Sequence, residues 1–288
     1  MSRKLLPHEL AFGAFLLITW VRLVAAEGPG GSHALTYLGL LAANVAAVAP
    51  CLRRESTSRW RLRLAYYPVA MNVVFFGLGP VVDAFHPGRA DAFLRGVDQA
   101  LLGGNLSLRW QAWTHPALTE LLSLCYILFF PYLIVTWIYY FPGDLRTLKR
   151  LFAGLFTIYG VGFLGYTLLP AIGPYVDMAA QFTVPLEGGV ITRWNAELVR
   201  RGTNGVDVFP SLHCALSSYI LFFDRAHKPW RFRVYLVPCV GLWVATIYLR
   251  YHYAIDVLAG FALSAVAYAL AKRAVPKEEP AYGLPASV

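Results

Sequence analysis

Charge is scarce in this chain. Asp, Glu, Lys and Arg make up 14% of its 288 residues, against 58% apolar residues. Ordinary soluble domains carry about 25% charged residues, so this composition excludes one. Cysteine is scarce too. Cys51, Cys125, Cys214 and Cys239 are spread through apolar segments without metal-binding spacing, which reads as free buried thiols. The chain also lacks a phosphate-cradling glycine loop, a dinucleotide fingerprint and any repeat of 20 to 50 residues, which leaves nucleotide binding and solenoid architectures without support.

What is present is a series of long apolar runs. Eight candidate spans fall near 9–26, 33–51, 63–82, 116–141, 150–170, 209–224, 233–250 and 253–272. Each is built to cross a hydrocarbon core of roughly 30 Å. The expected fold is all-α: a polytopic integral membrane helical bundle of about eight transmembrane helices, without a separate soluble module. Val24-Ala25-Ala26 looks like a signal-peptide cleavage site, but Trp20 and Arg22 inside the same run favour a retained span.

The net charge of +9 would point to nucleic acid in a soluble protein, yet the placement of the basic residues explains it better. With a cytoplasmic N-terminus (Arg3, Lys4), the inside loops are Arg53–Arg63, Arg146–Arg150 and Arg225–Arg233, and the tail adds Lys272, Arg273 and Lys277. Of the 25 basic residues, 17 then lie inside and 7 outside, with Arg22 inside the first span. Both termini are expected in the cytoplasm. The ends of spans five to eight then converge on the extracytoplasmic face under the 171–208 segment, whose length marks it as a functional roof.

Two motifs sit at that face. In Phe209-Pro210-Ser211-Leu212-His213, Pro210 suits a first helical turn, which puts Ser211 and His213 at a helix start. Free amides and the helix dipole make such a start a site for a phosphate oxygen, with the Ser211 hydroxyl as a further donor. Ser211 also fits a plain N-cap. His252 and Asp256 are four residues apart and share a helical face, so the carboxylate can orient the imidazole as nucleophile or base. Arg250 offers a planar cation for phosphate, or a snorkelling contact to headgroups. Asn204 and Asp207 fit turn residues or substrate contacts, and Tyr166 and Tyr175 are placed for headgroup contact. Trp137, Tyr139 and Tyr140 read as an interfacial aromatic belt, and His86 and His115 as interfacial loop residues.

The pair Phe-Pro-Ser-Leu-His and Tyr248-Leu-Arg-Tyr-His252-Tyr-Ala-Ile-Asp256-Val-Leu-Ala-Gly260 resembles the second and third signature motifs of the type 2 phosphatidic acid phosphatase superfamily. Within it, the chain is most similar to the branch of inositol-phosphorylceramide synthases and their bacterial relatives. Asp98–Gly104, His115–Tyr126 and Gly165–Pro174 resemble that branch as well, so that the likeness covers roughly 60–272. The resemblance implies two accessory helices in 1–60, a six-helix catalytic core in 61–273 and a cytoplasmic tail in 274–288.

It further implies that His252 attacks phosphorus to give a phosphohistidine, Asp256 orients it, His213 protonates the leaving oxygen and later activates the acceptor, and Ser211 binds phosphate. No cofactor and no metal are implied. The substrates are membrane lipids, without nucleic acid or an obligate protein partner. Two departures stand out: the 160–174 segment has no basic residue where the superfamily carries its first motif, and Thr246 stands six positions before His252, where an Arg is usual. Arg250, with one of Arg193, Arg200 or Arg201, is the candidate replacement.

The residues alone leave three functions open. The first is a lipid phosphatase or a headgroup transferase, with the branch resemblance favouring transfer onto a lipid alcohol over simple phosphatase action. The second is a metal-dependent hydrolase using His213, His252 and Asp256 as ligands. The third is a transporter with a proton relay, which would need ionisable residues spread through the span interiors, where few are found.

Overall fold

The computed structural model describes residues 5–276. Arg3, Lys4, Lys277 and nearly all of the expected 274–288 tail lie outside the described residues. Helices α1 (Pro7–Glu27), α2 (Ser32–Arg53) and α3 (Thr57–Phe85) come first. Two short helices follow, α4 (Asp91–Leu102) and α5 (Leu106–Trp110), then α6 (Pro116–Ile127), α7 (Phe129–Tyr140) and α8 (Leu145–Leu168). The next segment holds α9 (Pro174–Asp177) and α10 (Val190–Gly202), before α11 (Leu212–His227), α12 (Pro229–Tyr248) and α13 (Ala254–Ala274). Among the described residues there is no strand, only an isolated bridge between Ala171 and Asp207.

Six stretches are long and apolar enough to cross a membrane: α1, α2, α3, the Pro116–Tyr140 stretch formed by α6 and α7, α8, and α13. The chain is a multi-pass membrane protein. Helix α11, with 16 residues, and α12, which carries Arg231 and Arg233, are not among the six, but both pack in the same bundle. The break between α6 and α7 at Leu128 lies where Pro131 has no amide to give the Ile127 carbonyl. Helix starts follow local chemistry. Ser56, Asn105 and Asp144 each accept an amide three residues on, and Pro7, Pro116 and Pro229 open α1, α6 and α12.

Helix α8 is the centre of the bundle. Its apolar window is 78% buried, against 22% to 39% for the other five spans. Helices α1, α3, α11 and α13 surround it. The rings of Phe15 and Phe163 lie 5.7 Å apart, so the expected accessory helix α1 is packed directly on the central helix.

Two ion pairs are buried at the ends of helices. Arg63 holds Glu9, and Arg231 holds Asp224 at 3.0 Å while Tyr132 and Tyr140 donate to the same carboxylate at 2.9 and 2.7 Å. Both arginines, counted as loop charge from sequence, are enclosed and paired. Tyr140, expected in the aromatic belt, is likewise buried, because its hydroxyl satisfies Asp224 inside the bundle.

Candidate active site

His252 lies in the five-residue link between α12 and α13, and Asp256 in the first turn of α13. Their side chains meet as the spacing predicts: Nδ1 of His252 is 3.5 Å from Oδ2 of Asp256, and both residues are buried. The contact is longer than a good hydrogen bond, and catalytic contacts of this kind commonly tighten only with substrate bound. The other side of the imidazole faces His213, whose ring centre is 6.0 Å away. His213 is held from the opposite flank by Tyr126 and Phe129, each at 4.7 Å.

The two motifs are joined through the main chain. The Ser211 amide donates to the Asp256 carbonyl at 3.0 Å. Helices α11 and α13 approach so closely there that a Cβ on Gly260 would stand 2.5 Å from the Ser211 carbonyl. Pro210 precedes α11 instead of opening its first turn. Ser211 is the N-cap: its buried hydroxyl accepts the Cys214 amide at 3.4 Å, which is the capping role.

The α12 end is shaped to present His252. The amides of Tyr251 and His252 both donate to the Thr246 carbonyl at 3.0 Å, and that of Arg250 to Ile247 at 3.0 Å. This is a Schellman ending, which calls for a left-handed residue, normally glycine. Here the residue is Arg250, with φ 67°. Its guanidinium lies 4.0 Å from the centre of the Phe182 ring and donates to the Val184 carbonyl at 2.5 Å, while its Nε is buried without a partner. Arg250 therefore tethers the segment that covers the site.

That cover contains α10, a helix in a stretch read from sequence only as a long Gly- and Pro-containing loop. Glu120 of α6 caps α10 by accepting the amides of Gly189, Ile191 and Thr192 at 2.7, 2.9 and 3.0 Å. Asn195 of α10 donates to the Tyr251 hydroxyl at 3.0 Å. Arg193 is exposed on α10, and Arg200 and Arg201 pair with Glu197 on its surface.

Asn204 uses both ends of its side chain locally, donating to the Phe75 carbonyl at 3.0 Å and accepting the Val206 amide at 3.1 Å. Asp207 points inward. It accepts from Thr203 at 2.6 Å and lies within electrostatic reach of His252, Tyr126, Tyr166 and Tyr175. The site thus brings together His213, His252, Asp256, Asp207 and Tyr166, and it leaves Arg193 outside.

Sequence reading missed the residues that fix α13. Asp98 of α4 accepts the amides of Ala254 and Ile255, both at 2.9 Å. Asp91 accepts from Gly173 at 2.9 Å and from the Tyr253 hydroxyl at 3.0 Å, and that hydroxyl also reaches Asp177 at 2.8 Å, which Arg95 holds. These carboxylates act at the positive end of α13, one residue from His252. Asp98 opens the Asp98–Gly104 segment that carries the family resemblance, but nothing in the sequence shows that these carboxylates hold α13.

Burial pushes the His252 imidazole down to about 4, against a smaller upward pull from Asp207. The ring is neutral at pH 7, and a backbone hydrogen bond to Val208 engages its side away from the unpartnered Nδ1. Burial raises the carboxyls of Asp98 and Asp207 above the ordinary range, partly offset in Asp98 by the two amides it accepts. Among the described residues, no group of three His, Cys, Asp or Glu side chains is arranged to hold a metal ion.

Two histidines and a carboxylate, brought together from two sequence motifs at one end of the bundle beneath the 171–208 segment, make up the candidate site. The chain matches the PAP2 superfamily over residues 92–270, more than half of its length, and belongs to that family. Membership makes it a phosphatase-type membrane lipid enzyme. No curated protein and no solved structure among those compared matches the chain.

Proposed function

We propose that the protein moves a phosphoryl-bearing headgroup of a membrane lipid through a phosphohistidine on His252, and that it passes the group to a lipid alcohol more readily than to water. The observation that carries the reading is the His252 ring set between Asp256 at 3.5 Å and His213 at 6.0 Å between ring centres. With Nδ1 on the Asp256 side, Nε2 is the attacking atom once its proton moves to Nδ1 and its bond to the Val208 backbone is given up. A bond forms from Nε2 to phosphorus as the bond from phosphorus to the leaving oxygen breaks, and His213 gives that oxygen a proton. Asp256 stabilises the positive ring. In the second half, the acceptor hydroxyl gives its proton to His213, its oxygen attacks phosphorus, and the bond to Nε2 breaks. Water and a lipid alcohol differ only as the acceptor, and the cover built from α10 and Arg250 supports exclusion of water.

In this reading α11 and α12 also cross the bilayer, which gives eight spans, cytoplasmic termini and an extracytoplasmic site. The placement of Lys and Arg supports it. The inositol-phosphorylceramide synthase-like branch remains the favoured assignment within the family, and simple lipid phosphate hydrolysis is the alternative. The test is turnover by purified protein in EDTA of phosphatidic acid, and of phosphatidylinositol with ceramide or diacylglycerol, beside His252→Ala. Headgroup on the second lipid marks a transferase, and free phosphate marks a phosphatase. Full activity in His252→Ala, or complete loss in EDTA, overturns the mechanism.

A further inference from the structure

Among the described residues, no lysine or arginine is free to meet a phosphoryl group beside His252. Arg250 is engaged with Val184 and Phe182, Arg95 with Asp177, and Arg22 with the Thr167 carbonyl at 2.9 Å. Arg193 is exposed, and among the described residues no basic side chain bonds to His213, His252 or Asp256. A phosphoryl group still needs donors there.

Two buried hydroxyls meet the requirement. Tyr126 is 3% exposed and Tyr166 2%, and neither hydroxyl has a hydrogen-bond partner among the described residues. The Tyr126 ring packs at a tilt against His213, with centres 4.7 Å apart, and against Tyr251, the neighbour of His252, at 4.9 Å. Tyr166 follows Gly165, where α8 comes so close to the Phe-Pro-Ser-Leu-His strand that a Cβ would stand 2.5 Å from Pro210 Cδ. Asp207 accepts from Thr203 at 2.6 Å and immediately precedes Val208, whose backbone bonds to the His252 ring, and its charge reaches both tyrosines. A tyrosine hydroxyl with no protein partner on an otherwise enclosed side chain is free to donate to a ligand acceptor.

We propose that Tyr126 and Tyr166 donate to the phosphoryl oxygens in place of the missing basic motif, and that Asp207 makes the pocket select a singly charged phosphodiester over a doubly charged phosphate monoester. This rests on the phosphoryl-transfer reading above. Neutral donors bind a monoanion without overcompensating its charge, whereas a second negative charge meets Asp207 and Asp256 with no lysine or arginine to offset it. At the effective dielectric of a protein interior, one further unit of charge at such range changes binding by about tenfold to a hundredfold.

The test uses two lipids with identical acyl chains, phosphatidic acid and phosphatidylmethanol, which differ by one methyl group and one charge. Tyr126→Phe and Tyr166→Phe keep the rings and their packing. Each is expected to lower kcat/KM for both lipids by about tenfold or more, without changing the ratio between them. Asp207→Asn is expected to shift that ratio toward phosphatidic acid by about tenfold or more. Unchanged kcat/KM in both Phe variants overturns the donor assignment, and an unchanged ratio in Asp207→Asn overturns the charge selection. If the wild-type protein turns over neither lipid and forms no acid-labile phosphoprotein with either, the phosphoryl-transfer reading itself falls and takes this inference with it.

Discussion

The carboxylate of Asp98 caps the helix that begins at Ala254, accepting the Ala254 amide at 2.9 Å across 156 residues of sequence. The cap stands two residues from His252, so it sets the angle at which the imidazole enters the pocket. A displacement of about 1 Å at a reacting group can cost on the order of a hundredfold in rate.

Asp98→Ala is therefore expected to lower kcat/KM by about ten- to a hundredfold and to cost about 1–2 kcal/mol of stability. Asp98→Asn keeps one acceptor and is expected to recover part of the rate. The two effects separate in a thermal melt run beside steady-state kinetics. A loss of stability with kcat/KM intact would show that Asp98 supports the helix without aiming His252.

The acid limb of the rate profile follows from burial of His252. Its folded value, about 4, lies below the ordinary 6.5, so the imidazole stays neutral until the pH falls through about 4. The unfolded chain takes up this proton from pH 6.5 downward while the folded chain refuses it until about 4, so stability falls across that window as the pH drops. Single-turnover rates between pH 3.5 and 8 check this. An inflection at 6.5 or above assigned to His252 would contradict the buried environment.

Arg250 allows its backbone strain to be separated from its contacts. Arg250→Ala keeps a side chain in the left-handed region and loses the tether to Val184 and Phe182. Arg250→Gly loses the same tether but relieves the strain. Arg250→Gly is expected to be more stable than Arg250→Ala by about 1 kcal/mol, with both showing a more protease-sensitive cover. Equal melting temperatures would mean that the backbone relaxes on its own.

The Asp224–Arg231 pair predicts a different pattern. Asp224→Asn leaves a buried guanidinium short of its counter-charge and is expected to cost about 3–5 kcal/mol. Arg231→Met with Asp224→Leu removes both charges and should be milder. Neither change touches the pocket, so KM measured below the melting temperature is expected to stay within about twofold of the parent, by additivity of distant sites.

The apolar runs were legible because a membrane span announces itself by length and hydropathy, and six of them stand as such in the structure. His252 and Asp256 were legible because helical geometry brings residues four apart to one face. Asp98, Asp91 and Glu120 were not, since each bonds to backbone amides far along the chain and a backbone amide leaves no mark in sequence. Helix α10 was hidden by the Gly and Pro residues before it and by an amphipathic, charge-bearing sequence that matched no span. Tyr140 was misread because an aromatic residue near a helix end fits the interface equally well, until Asp224 appears beside it.

The hydrogen bond from the Ser211 amide to the Asp256 carbonyl contains no side-chain atom. The spacing between the two histidine motifs is therefore a property of the frame, like the pitch of a jig, and survives exchange of the groups mounted on it. Substitutions in the pocket can redirect which lipid is handled while the working gap between His213 and His252 stays constant. A scaffold of this kind lets substrate preference drift without rebuilding the reaction.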